Sequence, residues 1–251
     1  MPLPWIGIVA AAAYGAVAGS LLPRAVHRLS VPPEEPWRDA CPRGHPMGAG
    51  VRGLLGPARC TRCAREGHQG AYGSGGGVLG AAGALVSAGL TAAVGARPEL
   101  AVWLLLVPVT LLLATVDLKV MRLPDLLTLP LAAGSAALLG VAALLPGSGG
   151  SWAGALAGGG ALAGVFFVLF LISPRAVAFG DVKLALSVGV ALGWYGWGVL
   201  FAGAFLGFVL AALYGITLML TRHAVRGTAM AFGPFMVLGA LGGVVLGATA
   251  A

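Results

Sequence analysis

The chain has 251 residues, of which 59% are hydrophobic and only 9% are charged, and its mean hydropathy is +0.95. A soluble globular domain carries about 25% charged residues, so the composition excludes that class and indicates a polytopic membrane protein. The formal net charge of +7 does not predict nucleic-acid binding, because basic and aromatic residues do not alternate as they do on single-strand binding surfaces.

Eight apolar runs can cross, or nearly cross, about 30 Å of hydrocarbon as helices. They are Pro4–Leu22, Val78–Ala96, Leu100–Val116, Leu126–Leu145, Trp152–Ile172, Val182–Tyr195, Trp197–Leu220 and Ala231–Ala250. We interpret the first run as a retained helix, because a secretory signal would carry basic residues ahead of its apolar stretch. The sequence therefore predicts an all-α membrane protein of about eight transmembrane helices, of which the sixth is the shortest.

The distribution of basic residues predicts the orientation, because cytoplasmic loops hold most of the Lys and Arg in membrane proteins. If both termini lie outside and eight helices alternate, all of the 15 basic residues except Arg97 lie on the cytoplasmic side. We therefore expect the positive charge to reflect this topology and contact with anionic membrane lipids.

A polar segment between the first two apolar runs contains every cysteine of the chain, namely Cys41, Cys60 and Cys63. Cytoplasmic thiols stay reduced, which disfavours disulfides. With His45, the spacing Cys-x3-His-x14-Cys-x2-Cys is typical of two facing half-knuckles that close a tetrahedral structural zinc site. His68 is a rival fourth ligand, and three unliganded thiols in a flexible loop are the remaining alternative.

Beyond residue 99 the chain has only three carboxylates, Asp117, Asp125 and Asp181, and the predicted topology places all three at the cytoplasmic face. Ionisable groups at membrane depth are costly and usually functional. Asp125 and Asp181 precede predicted helices, where a carboxylate can act as a cap, whereas Asp117 stands at a helix C-terminus, where the dipole opposes it. Two carboxylates placed together can share a proton and activate water, so Asp117 and Asp181 are candidate catalytic residues.

The segments Asp117–Pro130 and Phe179–Leu186 resemble the two catalytic segments of the type IV prepilin peptidases, which belong to the GxGD class of aspartic proteases. The stretches Gly19–Leu29 and Ala231–Phe235 resemble the same family. With the cysteine segment, the resemblance runs in order over nearly the whole chain.

This resemblance implies that Asp117 and Asp181 form a catalytic dyad, supported by Gly180, which lets backbone approach closely, and by Lys183, which tunes the balance of protonation. A snorkelling interfacial lysine is the alternative for Lys183. The implied enzyme removes the basic leader of type IV prepilins or pseudopilins at the cytoplasmic face of the cell membrane. The implied domains are a first transmembrane helix (1–22), a cytoplasmic cysteine segment (23–77) and a seven-helix peptidase core (78–251).

Three positions depart from the family pattern. Ala178 replaces the first glycine of GxGD, Pro23 replaces a usual asparagine, and Gly44 stands where the second of four cysteines is expected. Many members also methylate the new N-terminus with S-adenosylmethionine, and the changes at Pro23 and Gly44 leave that activity open here.

Two other functions fit parts of the sequence. A small transporter could use intramembrane carboxylates as a proton relay, but it would place them near the bilayer midplane and commonly shows an internal repeat. A catalytically inactive scaffold of pilus machinery is disfavoured because both aspartates are present.

Overall fold

The computed structural model describes residues 4–32, 35–48, 50–73, 75–174, 177–221 and 230–251. Within these ranges the chain forms eleven helices and two isolated β-bridges. The helices are α1 (Pro4–Ser20), α2 (Pro23–Leu29), α3 (Gly50–Leu54), α4 (Thr61–Arg65), α5 (Gly76–Val94), α6 (Glu99–Val120), α7 (Asp125–Ala143), α8 (Trp152–Ile172), α9 (Phe179–Gly193), α10 (Trp197–Leu220) and α11 (Gly233–Ala250).

The all-α prediction is confirmed, and the eight predicted helices correspond to α1 and α5–α11. Among the described residues, α5, α6, α7, α8, α10 and α11 are long and apolar enough to cross a membrane. A seventh span results if α1 and α2, which are separated by a bend of 40°, count as one. Helix α9 has 15 residues and is therefore about 22 Å long, which is short of the roughly 30 Å of a hydrocarbon core.

Helix α2 has no counterpart among the predicted helices, although its sequence contains a helical signal. Pro23 occupies the first position, where a missing N–H costs nothing. The apolar residues Ala25, Val26 and Leu29 then recur at helical spacing, and all three are buried in a cluster with residues of α5 and α6 that includes Val116. The polar segment is thereby attached to the end of α6 that carries Asp117.

Glycines bring α8 and α9 into close contact. A Cβ atom on Gly158 would lie 2.7 Å from the carbonyl oxygen of Gly189 and 2.8 Å from the Cα of Gly193. A Cβ on Gly154 would likewise lie 2.7 Å from the carbonyl oxygen of Gly193. Small residues let membrane helices associate through such backbone contacts. The interface holds α9, and with it Asp181, at a fixed distance from α8.

We expect Gly158→Ala to destabilise the protein by about 1–3 kcal/mol, because the new methyl group would overlap backbone atoms. Unlike a side chain, these atoms cannot move aside by changing rotamer. Gly160→Ala is the matched control on the same helix, since no atom lies within 4 Å of its Cβ position. Thermal unfolding of the purified variants in detergent measures the difference. Equal midpoints for the two variants would contradict the packing described here.

Candidate active site and metal centre

Asp117 lies in the last turn of α6 and is only 4% exposed. Its Oδ2 accepts a hydrogen bond of 2.9 Å from the backbone N–H of Gly233, the first residue of α11. The N–H groups at a helix N-terminus have no partner within the helix and favour a negative charge nearby. A Cβ at Gly233 would lie 2.7 Å from this oxygen, so the contact requires glycine.

Asp181 is the third residue of α9 and is 6% exposed. Its Oδ2 accepts a hydrogen bond of 3.0 Å from the backbone N–H of Ala178. The carboxylate therefore caps its own helix, as the sequence indicates, but it does so from inside the first turn instead of preceding the helix. This capping contact occupies one carboxylate oxygen only.

The two aspartates share one end of the helix bundle, where α6, α9 and α11 meet. Their carboxyl groups are close enough to interact electrostatically. Leu184, one helical turn after Asp181, lies 3.5 Å from the position that a Cβ of Gly233 would take. Two carboxyl groups held together with little access to water can share a single proton, which leaves one as an acid and the other as a base.

Lys183 forms its ion pair with Asp125. Its Nζ lies 2.6 Å from Oδ1 of Asp125 and 4.8 Å from the centre of the Phe179 ring. Asp125 is the first residue of α7, and its side chain is 62% exposed. A pair this exposed contributes at most about 1 kcal/mol, so the contact mainly aligns α7 with α9.

Gly180 approaches the connection between α6 and α7 closely. A Cβ at this position would lie 3.2 Å from the Cβ of Leu123, in the short connection between α6 and α7. The glycine therefore lets the start of α9 pack against this connection, which lies just beyond Asp117.

The four candidate ligands of the polar segment come together. Their donor atoms, Cys41 Sγ, His45 Nδ1, Cys60 Sγ and Cys63 Sγ, all lie within 4.8 Å of one another. The Sγ atoms of Cys41 and Cys63 are 3.8 Å apart, and His45 Nδ1 lies 3.3 Å and 3.5 Å from the Sγ atoms of Cys63 and Cys60. A tetrahedral zinc ion with ordinary bond lengths separates two sulfurs by about 3.8 Å and sulfur from nitrogen by about 3.6 Å. The residues therefore fit a zinc ion.

A tight turn holds Cys41 and His45, and the start of α4 holds Cys60 and Cys63. Cys41 N–H donates to the carbonyl of His45 across a turn that contains Gly44, whose φ of 80° favours glycine. Outside the cluster, Glu66 Oε1 lies 3.5 Å from His45 Nε2 and can hold the ring so that Nδ1 faces the thiols. His68, the rival ligand, is exposed and is not part of the cluster.

The local environment gives the thiols of Cys60 and Cys63 different pKa values. A hydrogen bond with the backbone of Cys63 lowers the pKa of Cys60 to about 6. Burial raises the pKa of Cys63 to about 11. Because the thiolate is the form that binds metal, Cys60 can present a ligand at neutral pH.

Residues 104–220, which include both aspartates, match the type IV leader peptidase family. The resemblance to the type IV prepilin peptidases is thereby confirmed. The prepilin leader peptidase/N-methyltransferase of Aeromonas salmonicida (strain A449) is 32% identical over 136 residues, which is 54% of this chain and 45% of that protein. The protein of the same name from Aeromonas hydrophila is also 32% identical over 136 residues, or 54% of this chain and 46% of its own.

A Pseudomonas putida protein of the same name is 36% identical over 86 residues, covering 34% of this chain and 29% of its own length. The chain thus spans about half the length, or less, of the curated relatives that it matches. No solved structure matches it.

The sequence did not identify the two backbone N–H groups that bind the aspartates. For Gly233 a signal existed, since Ala231–Phe235 resembles part of the family, but nothing linked it to Asp117, 116 residues away. The pairing of Lys183 with Asp125 and the position of Glu66 beside His45 had no local signal, because both depend on how distant turns pack.

Proposed function

We propose that this chain is a membrane aspartic endopeptidase that removes the basic leader from type IV prepilins or pseudopilins. The observation that carries the proposal is the pair of buried carboxyl groups, Asp117 and Asp181, at one end of the bundle and within the segment that matches the leader peptidase family. The name of the relatives, prepilin leader peptidase/N-methyltransferase, supports the same reaction.

The geometry of the two carboxyl groups suits hydrolysis by an acid and base pair. Each uses Oδ2 to accept a backbone N–H, so each Oδ1 can face water or the scissile carbonyl. The ionised carboxylate removes a proton from water, and the resulting hydroxide attacks the carbonyl carbon. The protonated carboxyl group donates a hydrogen bond to the carbonyl oxygen, and a proton finally passes to the departing amine.

We further propose that the protein lies in the cell membrane with both termini outside and with the aspartates at the cytoplasmic face. The six or seven apolar helices support a multi-pass protein. The concentration of Lys and Arg in the loops at the aspartate end supports the orientation. In this arrangement residues 1–22 form the first span, residues 23–77 a cytoplasmic segment and residues 78–251 the peptidase core.

For the polar segment we propose one zinc ion held by Cys41, His45, Cys60 and Cys63, because their donor atoms have tetrahedral spacing. Four protein ligands leave no open position, so the ion would be structural and would supply no step of the hydrolysis. The second half of the relatives' name suggests methyl transfer from S-adenosylmethionine as a second candidate activity. Mass spectrometry of the processed N-terminus tests it.

Asp117→Asn and Asp181→Asn should each lower the rate of leader removal by about 10³-fold or more, because neither asparagine can exchange the required proton. Asp125→Asn is the control at the same end of the bundle. It breaks an exposed ion pair and should retain substantial activity. Cleavage of a prepilin measures these rates, with purified variants that accumulate in the membrane to equal levels. Full processing by either dyad variant, or complete loss in a folded Asp125 variant, would show that the wrong pair was chosen.

Purified protein should contain about one zinc ion per chain, and Cys60→Ser should lower that content, because loss of a ligand opens a closed tetrahedral site. His68→Ala should keep its zinc, since His68 lies outside the cluster. Elemental analysis of protein prepared without chelators measures both. Metal-free wild-type protein would favour the alternative of three unliganded thiols.

Cysteines introduced at Val120 and Val177 should react with an impermeant thiol reagent added from the cytoplasmic side only. Ser148→Cys, in the connection between α7 and α8 at the other end of the bundle, should react only from outside. The increase in labelling over wild-type protein in oriented vesicles gives the result. Labelling of Val120→Cys from outside would overturn the orientation.

A further inference from the structure

A long apolar groove lies between α5, α6, α9 and α11. Its volume is about 530 Å³, and side chains from all four helices line it, within the size range of ligand sites. Along α5 the lining runs from Val78 to Leu90, which corresponds to about 18 Å of helix. The groove is therefore elongated in the direction in which a membrane-spanning segment would lie.

The groove is open on one side. Three of its lining residues are among the most exposed large apolar side chains on their helices: Val78 is 74% exposed, Leu118 60% and Leu238 48%. In the proposed orientation this side faces the bilayer, so an apolar segment can enter sideways from lipid.

One end of the groove is lined by residues that lie close to the two aspartates in the chain. Leu118 follows Asp117 directly, and Pro234 follows Gly233, whose N–H binds Asp117. Leu184, also in the lining, is one helical turn beyond Asp181. The groove therefore begins within about one helical turn of each aspartate along the chain.

Ser187 distinguishes between two possible occupants. It lines the groove, is 7% exposed, and its Oγ has no hydrogen-bond partner among the described residues. An unsatisfied buried hydroxyl costs about 1–3 kcal/mol. A lipid acyl chain has no polar atom to satisfy it, whereas a helical peptide has carbonyl oxygens that can each accept a second hydrogen bond.

We propose that this groove binds the apolar segment that follows the scissile bond of the substrate, with side chains from one face of that segment inserted between α5 and α11. The inference rests on the proposed function. If the bond is cut between Asp117 and Asp181 while the basic leader stays in the cytoplasm, the apolar segment must pass from the aspartates into the bilayer. The groove is a path that begins there.

The test compares a full prepilin with a short peptide that contains the leader and the scissile bond but lacks the apolar segment. Ala82→Phe and Ala240→Phe fill the groove from α5 and α11, so kcat/KM for the full prepilin should fall at least tenfold while cleavage of the short peptide stays unchanged. Ala157→Phe, on an exposed position of α8 away from the groove, should change neither. Unchanged processing of the full prepilin by both groove variants would overturn the proposal. Failure of the wild-type protein to cut either substrate would refute the proposed function instead.

A second experiment does not depend on how well the filled variants fold. A photo-crosslinking residue at Val86, which lines the groove, should capture an uncleaved prepilin in membranes. The same residue at Leu156, which is 42% exposed on α8 and does not line the groove, should not. Crosslinks from Val86 to lipid alone, or equal capture from both positions, would show that the groove is not the substrate path.

Discussion

The burial of two carboxyl groups beside one another is the constraint on which this structure depends. In an apolar helix bundle such groups cost several kcal/mol unless they are paired, hydrogen-bonded or wetted. Backbone N–H groups from Gly233 and Ala178 offset part of that cost. Those donors are available only if the first turns of α9 and α11 are held beside the last turn of α6.

Burial alone does not identify a catalytic acid. Glu99, at the opposite end of α6, is fully buried and accepts a hydrogen bond from the N–H of Gly149. Among the described residues, no second carboxylate lies beside it. Asp117 and Asp181 differ because two elements distant in the sequence bring them together. It is this juxtaposition, within the segment that matches a peptidase family, that supports a chemical role for the pair.

The polar segment is attached to the same end of the bundle. Helix α2 packs against α5 and α6, and Arg122 donates a hydrogen bond of 3.0 Å to the carbonyl of Pro32. The cluster of Cys41, His45, Cys60 and Cys63 therefore belongs to a unit that contacts the surroundings of Asp117. On the proposed function, a structural zinc ion would stabilise the surface beside which the leader enters.

The sequence predicted the features that depend on composition and local pattern. Hydropathy indicated the eight apolar helices α1 and α5–α11. Ligand spacing indicated the cluster of Cys41, His45, Cys60 and Cys63, because only two or three residues separate the ligands within each half. What depends on packing was not predictable. Small-residue spacing in a chain with 42 glycines is too frequent to identify Gly158 as a contact, and no local pattern pairs Lys183 with Asp125 or forms the apolar groove.

A double-mutant cycle on the two aspartates tests the central claim most directly. Residual single-turnover rates of leader removal would be compared for Asp117→Asn, Asp181→Asn and the double variant. If the pair acts as one unit on one bond, the double variant should lose no more activity than the more damaged single variant. If the two losses multiply in the double variant, the aspartates act independently and the dyad does not exist.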